Sequence, residues 1–194
     1  MEITAAMVKE LRSLSGAGIM ECKSALKETK GDVEDAITFL RKKGLAKADK
    51  KSDRNTSEGK VGTYIHQGGK IGVMLQLNCE TDFVANTPDF QELVRDVAMH
   101  IAAAKPRFAT REEVTEEVLG KEREIFAHQA KESGKPENII EKIVTGKMEK
   151  FYEENCVLEQ PFIKDTNVTI GELIKQKIAL LGENINIGQF SRFE

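Results

Sequence analysis

VGTYIHQGGKIGVMLQLNCETDFVANTPDFQELVRDVAMHI, residues 61–101, reads as two strands joined by a glycine turn and followed by a helix. Val61 to His66 is the first strand and Gln67-Gly68-Gly69-Lys70 the turn; Ile71, Val73, Leu75 and Leu77 then alternate with smaller or polar neighbours. That is the pattern of a hairpin with one face covered. Thr87-Pro88 opens a helix, threonine as N-cap and proline at the first helical position, where no N–H is needed. Phe90, Leu93, Val94, Val97 and Ile101 recur at helical spacing, and the helix should end before Pro106. A hairpin covered by a helix predicts an α+β fold, a small antiparallel sheet with helices over it.

Upstream, Thr4 is placed to cap a helix, with Ile3 stapling to Val8 and with Leu11 and Leu14 on one face. Gly16 stops it, and Gly16-Ala17-Gly18 makes a tight turn. Ile19, Met20, Ala25 and Leu26 suggest a second helix ending near Gly31, and Asp32 caps a third whose Ala36, Ile37 and Leu40 face inward before Gly44. Residues 1–45 are thus expected to be a small three-helix domain, marginal alone by its surface-to-volume ratio. A basic linker at 46–59 and an α+β core at 60–194 follow. Arg41, Lys42, Lys43, Lys47, Lys50, Lys51 and Arg54 outnumber Asp49, Asp53 and Glu58 around this linker. With no aromatic between the charges, the run reads as a solvated connection rather than an RNA-binding patch.

Downstream, Thr110 with Glu113 fits a capping box, followed by a stripe of Val118, Leu119, Ile125 and Phe126. Gly134-Lys135-Pro136 breaks the chain, and Ile139, Ile140, Ile143, Val144, Met148 and Phe151 form a second stripe. The two pieces predict a projecting antiparallel helical hairpin over about 115–154. Thr169 and Glu172 make another capping box for a helix through Leu181, and Ile185, Ile187 and Gln189 lead an extended segment to Phe193.

The chain has 194 residues, 40% of them hydrophobic, which suffices for a real core. A formal charge of -3 argues against a generally nucleic-acid-binding surface. Cys22, Cys79 and Cys156 lack short metal-ligand spacing and read as reduced, buried thiols, while His66, His100 and His128 are far apart. No basic flank precedes an apolar run at the N-terminus, and no segment approaches the roughly 20 apolar residues that span a bilayer. The expected location is the cytoplasm, or an organelle as a mature form, with no membrane partner. No phosphate-binding loop, dinucleotide fingerprint, nucleophile elbow or metalloprotease motif occurs, so the expectation is a non-enzyme without cofactor or metal. Glu80 and Asp82 alone are a weak signal for acid-base work.

The unusual stretch is Asn78-Cys79-Glu80-Thr81-Asp82-Phe83-Val84-Ala85-Asn86, where an alternating strand runs into polar residues and presents one large aromatic. On its own terms Phe83 reads as a core residue at a strand-to-helix junction, because aromatics mostly pack inside. Thr81-Asp82-Phe83-Val84-Ala85 after Asn78-Cys79, however, resembles the signature motif of the elongation factor Ts family. Leu11-Arg12 followed by Gly16-Ala17-Gly18-Ile19-Met20 and Cys22-Lys23 resembles that family's N-terminal signature. Gly134-Lys135-Pro136, Gln160-Pro161-Phe162, Gly182-Glu183-Asn184-Ile185-Asn186 and Arg192-Phe193-Glu194 extend the likeness over nearly the whole chain.

The resemblance implies an N-terminal domain similar to ubiquitin-associated modules, a linker, and an α+β core with a projecting helical pair. It implies guanine-nucleotide exchange: release of GDP from elongation factor Tu so that GTP can bind, with no covalent chemistry. It makes Thr81, Asp82, Phe83 and Val84 the exchange motif, and Arg12, Ile19 and Met20 the anchor on the GTPase. A single core copy resembles the short members of the family, which implies a homodimer. Phe190-Ser191-Arg192 stands where some short members have a linking cysteine, so any dimer here is noncovalent at that point. Two other readings are an RNA- or ribosome-binding module using residues 41–60, and ubiquitin-like recognition by the N-terminal module.

Overall fold

Thr4 accepts the backbone N–H of Met7 on its hydroxyl, and α1 (Ala5–Ser15) starts there as its sequence indicates. The structure, a computed structural model, describes residues 3–132 and 136–194. Gly16 ends α1 in the left-handed region at φ 67°, a conformation open to glycine and costly for a side chain. α2 (Ile19–Glu28) and α3 (Val33–Asp49) follow, the latter capped by the Asp32 carboxylate, which accepts the N–H of Asp35 at 2.8 Å. Val8, Leu11, Cys22, Ala25, Leu26 and Ala36 are the buried centre of this bundle, with Ile3, Ile37 and Leu40 packed against them.

Two local expectations change here. Leu14 is exposed, because the inward line of α1 runs through Val8 and Leu11 and is completed by Ser15, whose hydroxyl donates to Leu11 O at 2.7 Å. Gly44 does not end α3, which continues to Asp49. A Cβ at Gly44 would lie 3.2 Å from Ala179 Cβ, so this glycine permits close packing of a neighbouring helix rather than a stop.

β1 (Glu58–Ile65) and β2 (Gly72–Cys79) form the expected hairpin, closed by His66 N–H donating to Ile71 O at 2.8 Å. A single helical turn, α4 (Asp82–Ala85), precedes α5 (Pro88–Ala104), where Phe90 N–H donates to the Thr87 hydroxyl at 3.2 Å. α6 (Glu116–Glu132) and α7 (Glu137–Asn155) pack on each other, and Lys147 Nζ of one helix donates to Gln129 Oε1 of the other at 2.5 Å. Gly134 and Lys135 of the expected break lie outside the described residues. A short antiparallel pair, β3 (Pro161–Phe162) and β4 (Asp165–Thr169), leads into α8 (Ile170–Leu181) and β5 (Ile185–Phe193). Thr169 and Glu172 form the reciprocal capping box, with bonds of 3.1 and 3.3 Å. The main sheet has the order β1-β2-β5, and the fold is α+β.

Thr110 and Glu113 do not open the hairpin helix. Val114 is buried and takes extended backbone, which interrupts helical structure after a single turn at Arg111–Glu113. Glu113 instead accepts the N–H of Ala109 at 2.7 Å, and α6 begins after Thr115, whose hydroxyl accepts the Val118 N–H at 3.4 Å. Ile125 and Ile139 of the expected stripes are exposed. Val114, Phe151 and Cys156 centre the apolar cluster at the base of this pair, with Phe108, Val118, Leu119, Phe126 and Tyr152 around them.

The chain divides into two compact units. One comprises Met1–Lys60, Leu77–Leu93 and Ile174–Asn186, the other Val61–Gln76, Val94–Leu173 and Ile187–Glu194. In the second, His100 is buried with Nε2 2.9 Å from Gln160 Oε1, and Gln160 Nε2 donates to Glu154 O at 2.7 Å. That relay makes the glutamine oxygen the acceptor and puts the imidazole proton on Nε2. His100 Nδ1 is buried with no hydrogen-bond partner among the described residues, so a second proton there would be an unpaired charge. Burial lowers the His100 pKa below its ordinary 6.5.

The unfolded chain therefore takes up this proton as pH falls through about 6.5, before the folded chain does, so stability is full above that value and declines below it. The expected melting midpoint drops between about pH 6.5 and 5, and His100→Gln, which keeps a donor to Gln160 and does not titrate, flattens the slope. An unchanged slope in that variant would assign the acid loss to other groups.

Candidate functional site

Thr81 ends the extended run of β2 and caps α4, its hydroxyl accepting the Val84 N–H at 3.4 Å. Ala85 N–H returns to Thr81 O at 3.2 Å and Asn86 N–H to Asp82 O at 3.1 Å. The Asn86 side-chain amide donates to the same Asp82 carbonyl at 2.9 Å. Thr87 closes the far end, its hydroxyl donating to Val84 O at 2.8 Å. These bonds tie both ends of the turn, so its direction is well defined. Ala85 is buried beneath it, Thr81 and Val84 are half-buried, and Asp82 and Phe83 face outward. Phe83 is 82% exposed, which removes the core reading of this residue.

Behind the turn, the carboxylate of Glu183 accepts both the N–H of Thr81 at 3.0 Å and its hydroxyl at 2.6 Å. The carboxylate of Glu80 accepts the N–H of Asn184 at 2.6 Å. Glu80 and Asp82 therefore diverge, the one turned to the α8–β5 connection and the other to the outside, and they form no acid-base pair. Cys79 Sγ donates to Thr81 O at 3.1 Å, and burial, with Glu183 nearby, pushes its pKa upward. A buried thiol of raised pKa is a packing residue rather than a nucleophile. Cys22, Cys79 and Cys156 are all buried free thiols.

Arg12 lies exposed in the last turn of α1, and Ile19 and Met20 lie on the first turn of α2, 56% and 75% exposed. With Leu14 they put apolar surface on both sides of the Gly16–Gly18 turn. The basic run is not free of partners. Lys47 pairs with Glu21, Asp49 with Lys175 at 2.7 Å and Arg54 with Glu80 at 3.5 Å, and Lys51 donates to Gly182 O. No helix among the described residues is long and apolar enough to cross a membrane.

Residues 4–194 match the family model described as Elongation factor TS. The chain belongs to the elongation factor Ts family. It is 58% identical to the elongation factor Ts of Solibacter usitatus over 193 residues, covering 100% of this chain and 91% of that one. It is 59% identical over 194 residues to that of Fervidobacterium nodosum, covering 100% and 98%, and 55% identical over 193 residues to that of Geobacter sulfurreducens, covering 100% and 89%. Membership of the elongation factor Ts family makes this a translation elongation factor.

Sequence reading missed Glu80, Glu183 and Asn184 as builders of the site, although Gly182-Glu183-Asn184 was part of the family likeness. No local signal joins positions 102 and 104 residues apart.

Phe83 has few packed neighbours to lose, so Phe83→Ala is expected to melt within a few degrees of wild type. Asp82→Ala should do the same, since an exposed carboxylate contributes little. A loss of about 3–5 kcal/mol at Phe83, the range for a truncated core phenylalanine, would contradict its exposure.

Proposed function

We propose that this protein is the guanine-nucleotide exchange factor of translation elongation, binding elongation factor Tu·GDP in the cytoplasm and promoting GDP release so that GTP can load. It does no covalent chemistry and needs no cofactor. The observation that carries the reading is Phe83, a large aromatic held outward on a capped, hydrogen-bonded turn beside Asp82. Leaving such a side chain in water forgoes about 1.5–3 kcal/mol, and a partner recovers it. Phe83 serves as a wedge and Asp82 perturbs the groups around magnesium and phosphate, with Thr81 and Val84 framing the turn.

Arg12, Ile19 and Met20 form the anchor on the GTPase, apolar surface with one cation at its border. An exchange factor works by linkage: it binds the nucleotide-free GTPase better than the GDP form, and weakens GDP by the ratio that GDP weakens it. Anchor contacts common to both states bring the partners together. Only contacts that GDP opposes accelerate its release.

The protein acts as a noncovalent homodimer. Val61 and Ile65 of β1, Met74 of β2 and Phe193 of β5 are exposed apolar residues on the main sheet, and β1 and β5 are its edge strands. A second copy would cover both liabilities. Light scattering at tens of micromolar should give twice the chain mass, and a monomer mass would remove the dimer.

Exchange itself is tested by stopped-flow release of labelled GDP from purified elongation factor Tu. Wild type should accelerate release at micromolar concentration, and no acceleration sinks the reading. Phe83→Ala should slow the saturated rate by about 10- to 100-fold, its lost burial converted at roughly 1.4 kcal/mol per factor of ten. Met20→Glu should instead raise the half-saturating concentration while sparing the saturated rate.

A further inference from the structure

Three stretches far apart in sequence meet at the turn between α8 and β5, all within the unit that contains Met1–Lys60, Leu77–Leu93 and Ile174–Asn186. Glu183 holds Thr81 by two bonds, as described above. Asn184 is buried, and its side-chain amide donates to Ser52 O at 3.0 Å and to Arg54 O at 2.9 Å. Its backbone N–H goes to Glu80, which also pairs with Arg54, and Lys51 donates to Gly182 O. One three-residue turn thus binds the segment leaving α3 through Gly182 and Asn184 and the outward turn carrying Phe83 through Glu183 between them.

We propose that Glu183 and Asn184 are positioning residues for nucleotide exchange, a strap that fixes the Asp82–Phe83 turn relative to the N-terminal bundle. This rests on the exchange reading above. Neither residue need touch the partner. A wedge on a single helical turn, fastened only through its own backbone, would sample several directions, and complexes formed with it misdirected would not release GDP. The two-bond grip on Thr81 removes that freedom before binding. Glutamine at 183 is a poorer partner: its one oxygen can take the Thr81 N–H, but its NH2 then has to donate to the hydroxyl, which loses its charged acceptor and leaves the hydroxyl proton without one.

The strap makes a claim that a purely structural role does not. Loosening it should leave Ile19 and Met20 untouched, so the half-saturating concentration stays constant while the rate at saturation falls. Thr81 and Glu183 share the hydroxyl–carboxylate bond, so removing both should cost less than the sum of the two single losses.

The experiment is GDP release from elongation factor Tu by the full chain, as wild type, Glu183→Gln, Thr81→Val and the double variant, with melting midpoints taken in parallel. The expected result for Glu183→Gln is a saturated rate down about tenfold, a half-saturating concentration within about twofold of wild type, and a double variant faster than the product of the two single losses. If Glu183→Gln is unfolded at assay temperature, Thr81→Val makes the comparison from the other side of the shared bond, with the saturated rate down and the half-saturating concentration within about twofold of wild type. An active wild type with an unimpaired Glu183→Gln, or additive single and double losses, or an unimpaired Thr81→Val, would overturn the strap alone. An inert wild type would remove the exchange reading and the strap with it.

Discussion

Thr81 gives both its backbone N–H and its hydroxyl to one carboxylate, that of Glu183, and the presentation of the Asp82–Phe83 turn depends on this pair of bonds. Bonds to an ionised acceptor are shorter and stronger than neutral ones, and these are half-buried, where screening by water is reduced. With its proton committed to Glu183, the Thr81 hydroxyl still has a lone pair for the Val84 N–H. That starts the α4 turn in one direction. Thr87 repeats the device at the other end, donating to Val84 O and accepting from Phe90 N–H, so the turn passes directly into α5. Asp82 and Phe83 sit at the apex with no route inward.

Much of the fold was legible because its punctuation is local. Thr4, Asp32, Thr87-Pro88 and the Thr169–Glu172 box each cap within three residues, and Gly16 terminates by its own conformational freedom. Such signals need no tertiary context. Where the reading failed, tertiary packing had overruled a local rule. Gly44 reads as a stop, yet α3 gains more by continuing against Ala179 than it loses through one glycine. Thr110 and Glu113 have capping spacing, but burying Val114 requires extended backbone just where a helix would propagate.

The site was legible to a lesser degree. An aromatic between a strand and a helix has the same sequence signature whether it points in or out, and on this turn Ala85 is the buried residue and Phe83 the exposed one. The exposure of Ile19 and Met20 follows from the short α2, whose covered face is already filled by Cys22, Ala25 and Leu26. Arg54 looked like part of a solvated run until the fold brought Glu80 to it. Side-chain pairs separated by a hundred residues carry no periodicity to detect.

The energetics of the proposed exchange role decide how these parts must divide the work. Accelerating GDP release by four orders of magnitude would require about 5.5 kcal/mol of differential interaction, at roughly 1.4 kcal/mol per factor of ten. One phenylalanine supplies about 1.5–3 kcal/mol. Phe83 therefore cannot act alone, and more anchor area does not close the gap, since contacts made equally with and without GDP cancel from the differential. The remainder has to come from groups moved together with the wedge, Asp82 first among them. A charge displaces neighbouring groups in a defined way only if its own position is fixed, and on this turn that position is set from behind, by Glu183 through Thr81 and by Asn86 through the Asp82 carbonyl.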